Sequence, residues 1–341
     1  MKKIIGIGNA LVDVLVRLQD DAQLAQMGLE KGGMRLIDEP RQQVLSRQMQ
    51  QWHPARATGG SAGNAMLALA NLGAHPGFIG RVGDDEMGRF FSDNCDSVGI
   101  EARLVRQGGA TGVANTFITP DAERTFATYL GVAGQMAPDD IVPELFQGYD
   151  ILHIEGYLVQ NNDLIRRICR VAKQMGLTTS IDLASYNVVN DNRSLLRELV
   201  TEYIDIVFTN EEESAAFTCG KAPEDALTEI AAMARWAVVK VGKRGSLGMF
   251  EGQRASVPGR SVDVVDTTAA GDFFAGGFLY ALSRGAALES CLRMGSLLSQ
   301  NIIQVVGTRL PEPTWDAIRR EASQILGHPR KSEVVLGNLR N

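Results

Sequence analysis

The sequence predicts an α/β protein built on a mostly parallel sheet, with a small β-sheet lid beside it. Two observations carry this. Apolar runs of strand length alternate with segments of helical period over most of the 341 residues, the pattern of βαβ units. One stretch, Arg103–Leu130, breaks that rhythm with two extended runs and no helix between them.

Taken in order, Ile4–Gly8 reads as a buried first strand. Ser61–Leu72 follows as a helix, Gly77–Val82 as a strand and Glu86–Val98 as a helix. Further strands are expected near Ile151–Ile154, Thr178–Asp182, Ile204–Thr209 and Ala237–Val241. The helices Asp163–Met175, Arg193–Glu202, Glu211–Phe217 and Glu224–Arg235 lie between and after them. Helices resume at Ala270–Arg284, Leu288–Val305 and Pro313–Leu326. Val113–Thr119 and Arg124–Tyr129, separated by Pro120-Asp121, read as antiparallel strands outside the main sheet. Arg17–Asp38 is irregular and holds a Gly32-Gly33 turn. Segments of about 13–40 and 103–130 are therefore expected to form the lid on a single α/β unit spanning 1–330. Residues 331–341 are expected to be a loosely held polar tail.

Length alone gives a prior of about two domains at roughly 150 residues each. Composition is that of a globular chain, 45% hydrophobic and 22% charged. The formal net charge of −6 is poor for a nucleic-acid binder, which needs a basic excess. Cys95, Cys169, Cys219 and Cys291 are far apart and form no CxxC pair, as expected of free thiols in a reducing compartment. Asn9 and Asp13 interrupt the first apolar run, which argues against a signal peptide. No apolar run is long enough for a membrane span. A cytoplasmic protein without membrane partners is the resulting expectation. The 36 glycines, many in short clusters, need an explanation beyond loop flexibility.

Several motifs bear on chemistry. Gly6-Ile7-Gly8 follows a strand, but Leu11 stands where a dinucleotide fingerprint needs its third glycine. No GxxxxGK[ST] is present. His153 and Glu155 form an HxE without the PCxxC partner of zinc deaminases, so a structural His153 is expected. Gly59-Gly60-Ser61-Ala62-Gly63-Asn64 leads small residues into a helix. Glycine permits close backbone approach, and a helix start offers free N–H donors. Asn64 could bond a sugar hydroxyl, and Asp13 follows the first strand, near where open α/β sheets bind ligands. Asp266-Thr267-Thr268-Ala269-Ala270-Gly271-Asp272 places small residues before a strongly apolar helix. Free N–H groups there form an anion hole. A carboxylate beside it, Asp272, makes sense as a general base for a hydroxyl attacking a phosphoryl group. Its alternative role is to complement the helix dipole.

These motifs together resemble the ribokinase-like, or PfkB, family of carbohydrate and nucleoside kinases. The resemblance covers nearly the whole chain, from GNALVDVLV at Gly8 to Gly307-Thr308. It includes two signatures, Gly59–Gly88 and Asp266–Gly285, and an NxxE motif, Asn210-Glu211-Glu212-Glu213. TPDAERTFATYLG from Thr119 and IEGYLV from Ile154 look like the bacterial adenosine-kinase-like branch.

The resemblance implies a doubly wound α/β body with the lid, and an ATP-dependent phosphotransferase acting on a primary alcohol of a nucleoside or a sugar. It implies Asp272 as catalytic base, with Ala269, Ala270 and Gly271 as the anion hole. Asp13, Gly59, Gly60, Asn64 and Glu155 would bind the acceptor, and Asn210, Gly242, Gly245 and Thr268 the nucleotide. Asn210 and Glu213 would organise Mg²⁺ through water, their spacing of three placing both on one helix face. A monovalent cation, K⁺ in type, would sit near Asp266 and Thr268. Phe117, Phe126 and Tyr129 could line a slot for a base. A homodimer through the lid is implied as well, although monomers occur among adenosine kinases. One departure stands out, Ala269 where the family usually has Gly. If φ must be positive there, Ala costs roughly 1–2 kcal/mol, and a slightly altered loop with retained function is expected. Two other classes remain open: a non-catalytic nucleotide or sugar sensor on the same fold, and a nicotinamide enzyme, which Leu11 disfavours.

Overall fold

In the computed structural model residues 1–121 and 123–327 are described. The expected tail, 331–341, lies outside the described residues. Nine strands form the larger sheet: β1 (Ile4–Ile7), β5 (Gly77–Gly83), β6 (Glu101–Gln107), β9 (Ile151–Glu155), β10 (Thr178–Asp182), β11 (Ile206–Asn210), β12 (Trp236–Lys240), β13 (Ser246–Phe250) and β14 (Gln253–Val257). Across the sheet they run β14-β13-β12-β11-β10-β9-β1-β5-β6. All pairings are parallel except those made by the terminal hairpin β13–β14.

Parallel strands buried on both faces read as continuous apolar runs, and their alternate residues feed two cores. Phe208 and Val238 face one, with α3 (Ser61–Asn71), α9 (Ala270–Ser283), α10 (Leu288–Ile302) and α11 (Glu312–Leu326). Val207 and Val239 face the other, with α5 (Asn162–Gln174), α6 (Tyr186–Glu202), α7 (Glu211–Phe217) and α8 (Pro223–Ala231). The body is thus doubly wound. From β1 the chain order runs outward in both directions, so β1 and β9 flank the reversal where open α/β sheets hold ligands at their carboxyl ends.

Helix α9 is buried from Phe273 to Ser283, as an all-round apolar helix must be. Phe278 meets Phe208 edge-on at 5.1 Å between ring centroids. Helix α3 packs across α9 through small residues. A Cβ at Gly276 would meet the Ala65 carbonyl at 2.7 Å and Ala68 Cβ at 2.8 Å. That close crossing brings the N-termini of α3 and α9 together.

The smaller sheet has five strands in the order β3-β8-β7-β2-β4. They are β2 (Leu11–Arg17), β3 (Met34–Leu36), β4 (Ala55–Gly59), β7 (Gly112–Ile118) and β8 (Arg124–Tyr129). Helices α1 (Ala22–Gln26), α2 (Glu39–Met49) and α4 (Glu86–Ser97) complete the fold. Two boundaries differ from the expected segments of 13–40 and 103–130. Residues 103–107 belong to β6, which pairs in parallel with β5 in the larger sheet. Residues 55–59 enter the smaller sheet by antiparallel pairing with β2. The polar sequence around β4 hides its strand character; the pairing with Leu11–Leu15 supplies it.

Candidate active site

Four strand ends of the larger sheet deliver polar side chains to one edge: Glu155 on β9, Asp182 on β10, Asn210 on β11 and Lys240 on β12. Facing them are the first turns of α3 and α9.

Asp272 lies in the first turn of α9. Its Oδ1 accepts from Ser61 Oγ at 2.6 Å and its Oδ2 from Asn64 Nδ2 at 2.9 Å. Burial pushes this carboxyl up to about 6, against the lowering effect of those two donors and of Lys240. Ala269, the N-cap, is left-handed with φ 59°. The backbone shape that favours glycine is thus kept with an alanine. The Ala270 N–H turns back onto the Thr267 carbonyl at 3.2 Å, so Ala270 is not the free donor the sequence led us to expect. The amides of Gly271 and Asp272 carry no such bond to the residues before the helix, as expected of a first turn.

Lys240 was not singled out by the sequence. Its Nζ donates to Asp182 Oδ2 at 2.7 Å. A Cβ at Gly271 would lie 2.9 Å from that Nζ, which puts the ammonium beside the phosphate-type loop. Burial pulls Lys240 down, but Asp182, Glu213 and Asp272 outweigh it and hold the ammonium above its usual range. A lone Lys in a strand run, VVK, looks like a strand end, and only the fold shows what it faces.

Asn210 and Glu213 hold each other. Asn210 Oδ1 accepts from the Glu213 amide at 2.9 Å, while Glu213 accepts from the Asn210 amide at 2.8 Å and from Asn210 Nδ2 at 2.7 Å. This capping box starts α7. Burial raises the Glu213 carboxyl above the usual range. Each of its oxygens retains a lone pair for a further donor such as metal-bound water. Gly242 and Gly245 bracket the turn from β12 to β13, and a Cβ at Gly245 would strike the Val257 carbonyl.

On the acceptor side, Asp13 projects from β2 over Gly59, where any Cβ would collide with its carboxylate. Burial pushes Asp13 up to about 7. Gly60 is the N-cap of α3. Asp13, Thr268 and Phe126 line a cavity of about 400 Å³ under the smaller sheet. Phe117 is instead packed in the core, and Tyr129 is not part of this lining.

Two further expected site carboxylates, Glu155 and Asp266, are already hydrogen-bonded within the protein. Glu155 is 2% exposed, lies beside Gly60 and accepts from Asn9 Nδ2 at 2.7 Å and from the Ala62 amide at 3.3 Å. It ties the end of β9 to β1 and α3. The carboxylate of Asp266 does not fit a monovalent cation. Arg124 pairs with Asp266 Oδ2 at 2.8 Å, and the amides of Gly307 and Thr268 donate to its two oxygens at 3.0 Å each. A guanidinium already supplies the positive charge there. His153 is fully buried and hydrogen-bonded through Nδ1 to Ser180 Oγ at 2.9 Å, a structural position.

The doubly wound fold with its small-residue loop defines a small-molecule kinase. The chain belongs to the pfkB family of carbohydrate kinases, whose family model, pfkB family carbohydrate kinase, matches residues 35–315. The ATP-dependent ribose-1-phosphate kinase of Halopiger xanaduensis is 30% identical over 264 residues, 76% of this chain and 84% of that protein. Two solved structures are similar over 94% of this chain. The adenosine kinase from Sinorhizobium meliloti is 32% identical with a TM-score of 0.83, over 99% of its chain. The probable sugar kinase from Rhizobium etli is 31% identical with a TM-score of 0.84, over 98% of its chain. Among the described residues no helix is long and apolar enough to cross a membrane.

Proposed function

We propose that this kinase transfers the γ-phosphoryl group of ATP to a primary hydroxyl of a sugar or nucleoside, with Asp272 as general base. One observation carries the reading. A carboxyl held at about 6 by burial, fixed by Ser61 and Asn64, stands in the same helix turn as the amides of Gly271 and Asp272. A base near neutral pH beside anion-binding donors suits an alcohol attacking a phosphoryl group.

Asp272 takes the hydroxyl proton as the hydroxyl oxygen bonds to the γ-phosphorus. The bond to the bridging oxygen breaks and ADP leaves. The Gly271 and Asp272 amides, with the Lys240 ammonium, stabilise the phosphoryl oxygens electrostatically. Asn64 Oδ1 is buried without a partner and is available to the acceptor hydroxyl. Asp13 holds other acceptor hydroxyls. Gly242 and Gly245 line the nucleotide side, with Asn210 at the end of β11, and Thr268, which also lines the acceptor cavity, reaches toward the nucleotide. Mg²⁺ would supply charge neutralisation when bound with ATP, and Asn210 and Glu213 would hold it through its waters. The similar proteins include an adenosine kinase and a ribose-1-phosphate kinase, which supports both acceptor classes. The smaller sheet serves as a lid, and its edge strand β3, with Met34 and Leu36 exposed, supports a homodimer through that sheet.

The test is Asp272→Asn with ADP release followed across sugars and nucleosides. Turnover is expected to fall about 10²–10⁴-fold, with the melting temperature near that of the unaltered protein. Turnover close to normal in the folded variant would overturn the mechanism.

A further inference from the structure

Asp266 stands where three parts of the chain meet. Its Oδ2 accepts from Arg124 Nη1 at 2.8 Å and from the Gly307 amide at 3.0 Å, and its Oδ1 from the Thr268 amide at 3.0 Å. Arg124 comes from β8 of the smaller sheet, Gly307 from the segment after α10, and Thr268 from the turn that leads into α9. That turn is also held from behind, where the Val265 and Asp266 amides both donate to the Ile303 carbonyl, at 2.8 and 3.1 Å. Ala269 follows with φ 59°, and Gly271 and Asp272 lie in the helix turn after it. The Asp266 carboxylate therefore fixes the chain from which those two amides are presented.

Of its three donors only Arg124 carries charge. The Asp266 side chain is 4% exposed and that of Arg124 7%, so water neutralises neither. A buried carboxylate that loses its cation is strongly disfavoured. Arg124 in turn makes its side-chain hydrogen bonding at Asp266 alone: Nε and Nη2 have no partner, and Asp13 acts on the guanidinium by charge without a hydrogen bond. The backbone of Arg124 pairs with Ile118 inside the smaller sheet. The charge that Asp266 needs thus belongs to a different sheet from the turn that Asp266 organises.

We infer that Arg124 is a positioning residue for phosphoryl transfer: it is the internal cation of Asp266, and through that carboxylate it holds the turn before α9 in the shape that presents the Gly271 and Asp272 amides. It touches no reacting atom. This rests on the kinase reading above and adds a residue of the smaller sheet to it. Seating of the smaller sheet and shaping of the turn become one event, because lifting the sheet withdraws the cation.

The experiment compares Arg124→Ala, Arg124→Lys and the double variant R124A/D266N with the unaltered protein. The acceptor is whichever of ribose, fructose and adenosine the unaltered protein phosphorylates with Mg-ATP. Arg124→Ala is expected to lower kcat about 100-fold, the scale of one lost electrostatic donor, with a much smaller change in the acceptor KM. Arg124→Lys keeps a cation and is expected to stay within about tenfold of the unaltered protein. Methylguanidinium, which refills the space left by Arg124→Ala, is expected to restore about tenfold in that variant and nothing in the unaltered protein. R124A/D266N is expected to be no slower than Arg124→Ala, because the carboxylate that needs the cation is gone. Near-normal turnover in Arg124→Ala overturns the inference. So does a loss that neither Lys nor methylguanidinium recovers, which would mean packing. Losses that multiply in the double variant overturn it too, since they would show Arg124 acting on the phosphate independently of Asp266. If Arg124→Ala does not fold, Arg124→Gln against Arg124→Lys decides: an active Lys variant with an impaired Gln variant upholds the inference, and equal activity overturns it. If the unaltered protein phosphorylates nothing, the kinase reading is the one in difficulty, and calorimetry with ADP and the non-hydrolysable analogue AMP-PNP decides the inference. A loss of about tenfold in Arg124→Ala confined to AMP-PNP upholds it. Equal losses for both nucleotides, no loss, or no binding of AMP-PNP to the unaltered protein overturn it.

Discussion

The side-chain amide of Asn64 donates to Asp272 at 2.9 Å, while its own Oδ1 is buried with no partner. In the proposed mechanism Asn64 both orients the base and offers an acceptor atom to the substrate hydroxyl. Asn64→Leu removes both. We expect kcat to fall by about 10–100-fold and KM for the acceptor to rise, because a bond to a charged group contributes about 1.5–3 kcal/mol. Steady-state kinetics with both substrates varied would check this; a change confined to ATP would count against it.

Activity should have an acidic limb set by Asp272. The base works only when deprotonated, and burial puts its carboxyl at about 6. The rate should therefore fall as pH drops through about 6. Ser61 lowers that value by donating to Oδ1, so Ser61→Ala should move the limb to higher pH. A limb that stays in place, or moves down, would separate Ser61 from the titrating base.

Lys240 should matter through its charge. Lys240→Met leaves Asp182, Glu213 and Asp272 without their shared cation. We expect a loss of about 10²–10³-fold in kcat, the scale for one lost electrostatic donor. The acidic limb should also shift upward, since Lys240 lowers Asp272. Partial recovery in Lys240→Arg would distinguish charge from packing.

The strain at Ala269 is open to direct measurement. Its φ of 59° is cheap for glycine and costs other residues roughly 1–2 kcal/mol. Ala269→Gly should stabilise the fold slightly, by up to about 1 kcal/mol after the extra freedom of the unfolded chain is deducted. Ala269→Val should destabilise it by about 2 kcal/mol, since a β-branched residue fits that region worst. Urea denaturation of the three proteins would rank them.

The Arg124–Asp266 pair bears on ion dependence. Because a guanidinium already sits on the Asp266 carboxylate at 2.8 Å, turnover should be the same in potassium and tetramethylammonium salts at equal ionic strength. Activation by potassium alone would show that the pair opens to admit the ion.

Much of this was legible in the sequence, for reasons that differ from residue to residue. The buried parallel strands announce themselves because both faces are apolar, as in Ile151–Ile154. The place of Asp272 in the first turn of α9 was readable because small residues precede a strongly apolar run. Strand β4 was not, because Ala55–Gly59 gains its extended form from pairing with β2. Lys240 and Ser61 were missed for a related cause: each acquires its role from a partner far along the chain, Asp182 for one and Asp272 for the other. Glu155 is less legible, because a buried glutamate beside a cavity and a glutamate inside it have the same sequence signature. Its bonds to Asn9 and Ala62 are visible only in the fold.

The crossing of α3 and α9 at Gly276 has a consequence for how the protein comes to be active. Ser61 and Asp272 are 211 residues apart, yet one hydrogen bond joins them. The proposed base is thus assembled by closure of a very long loop rather than by local folding. A nascent chain without α9 has no base, and a refolding chain regains turnover only once the two helix starts have met. Recovered activity would therefore report completed topology in this protein, where helix content alone would not.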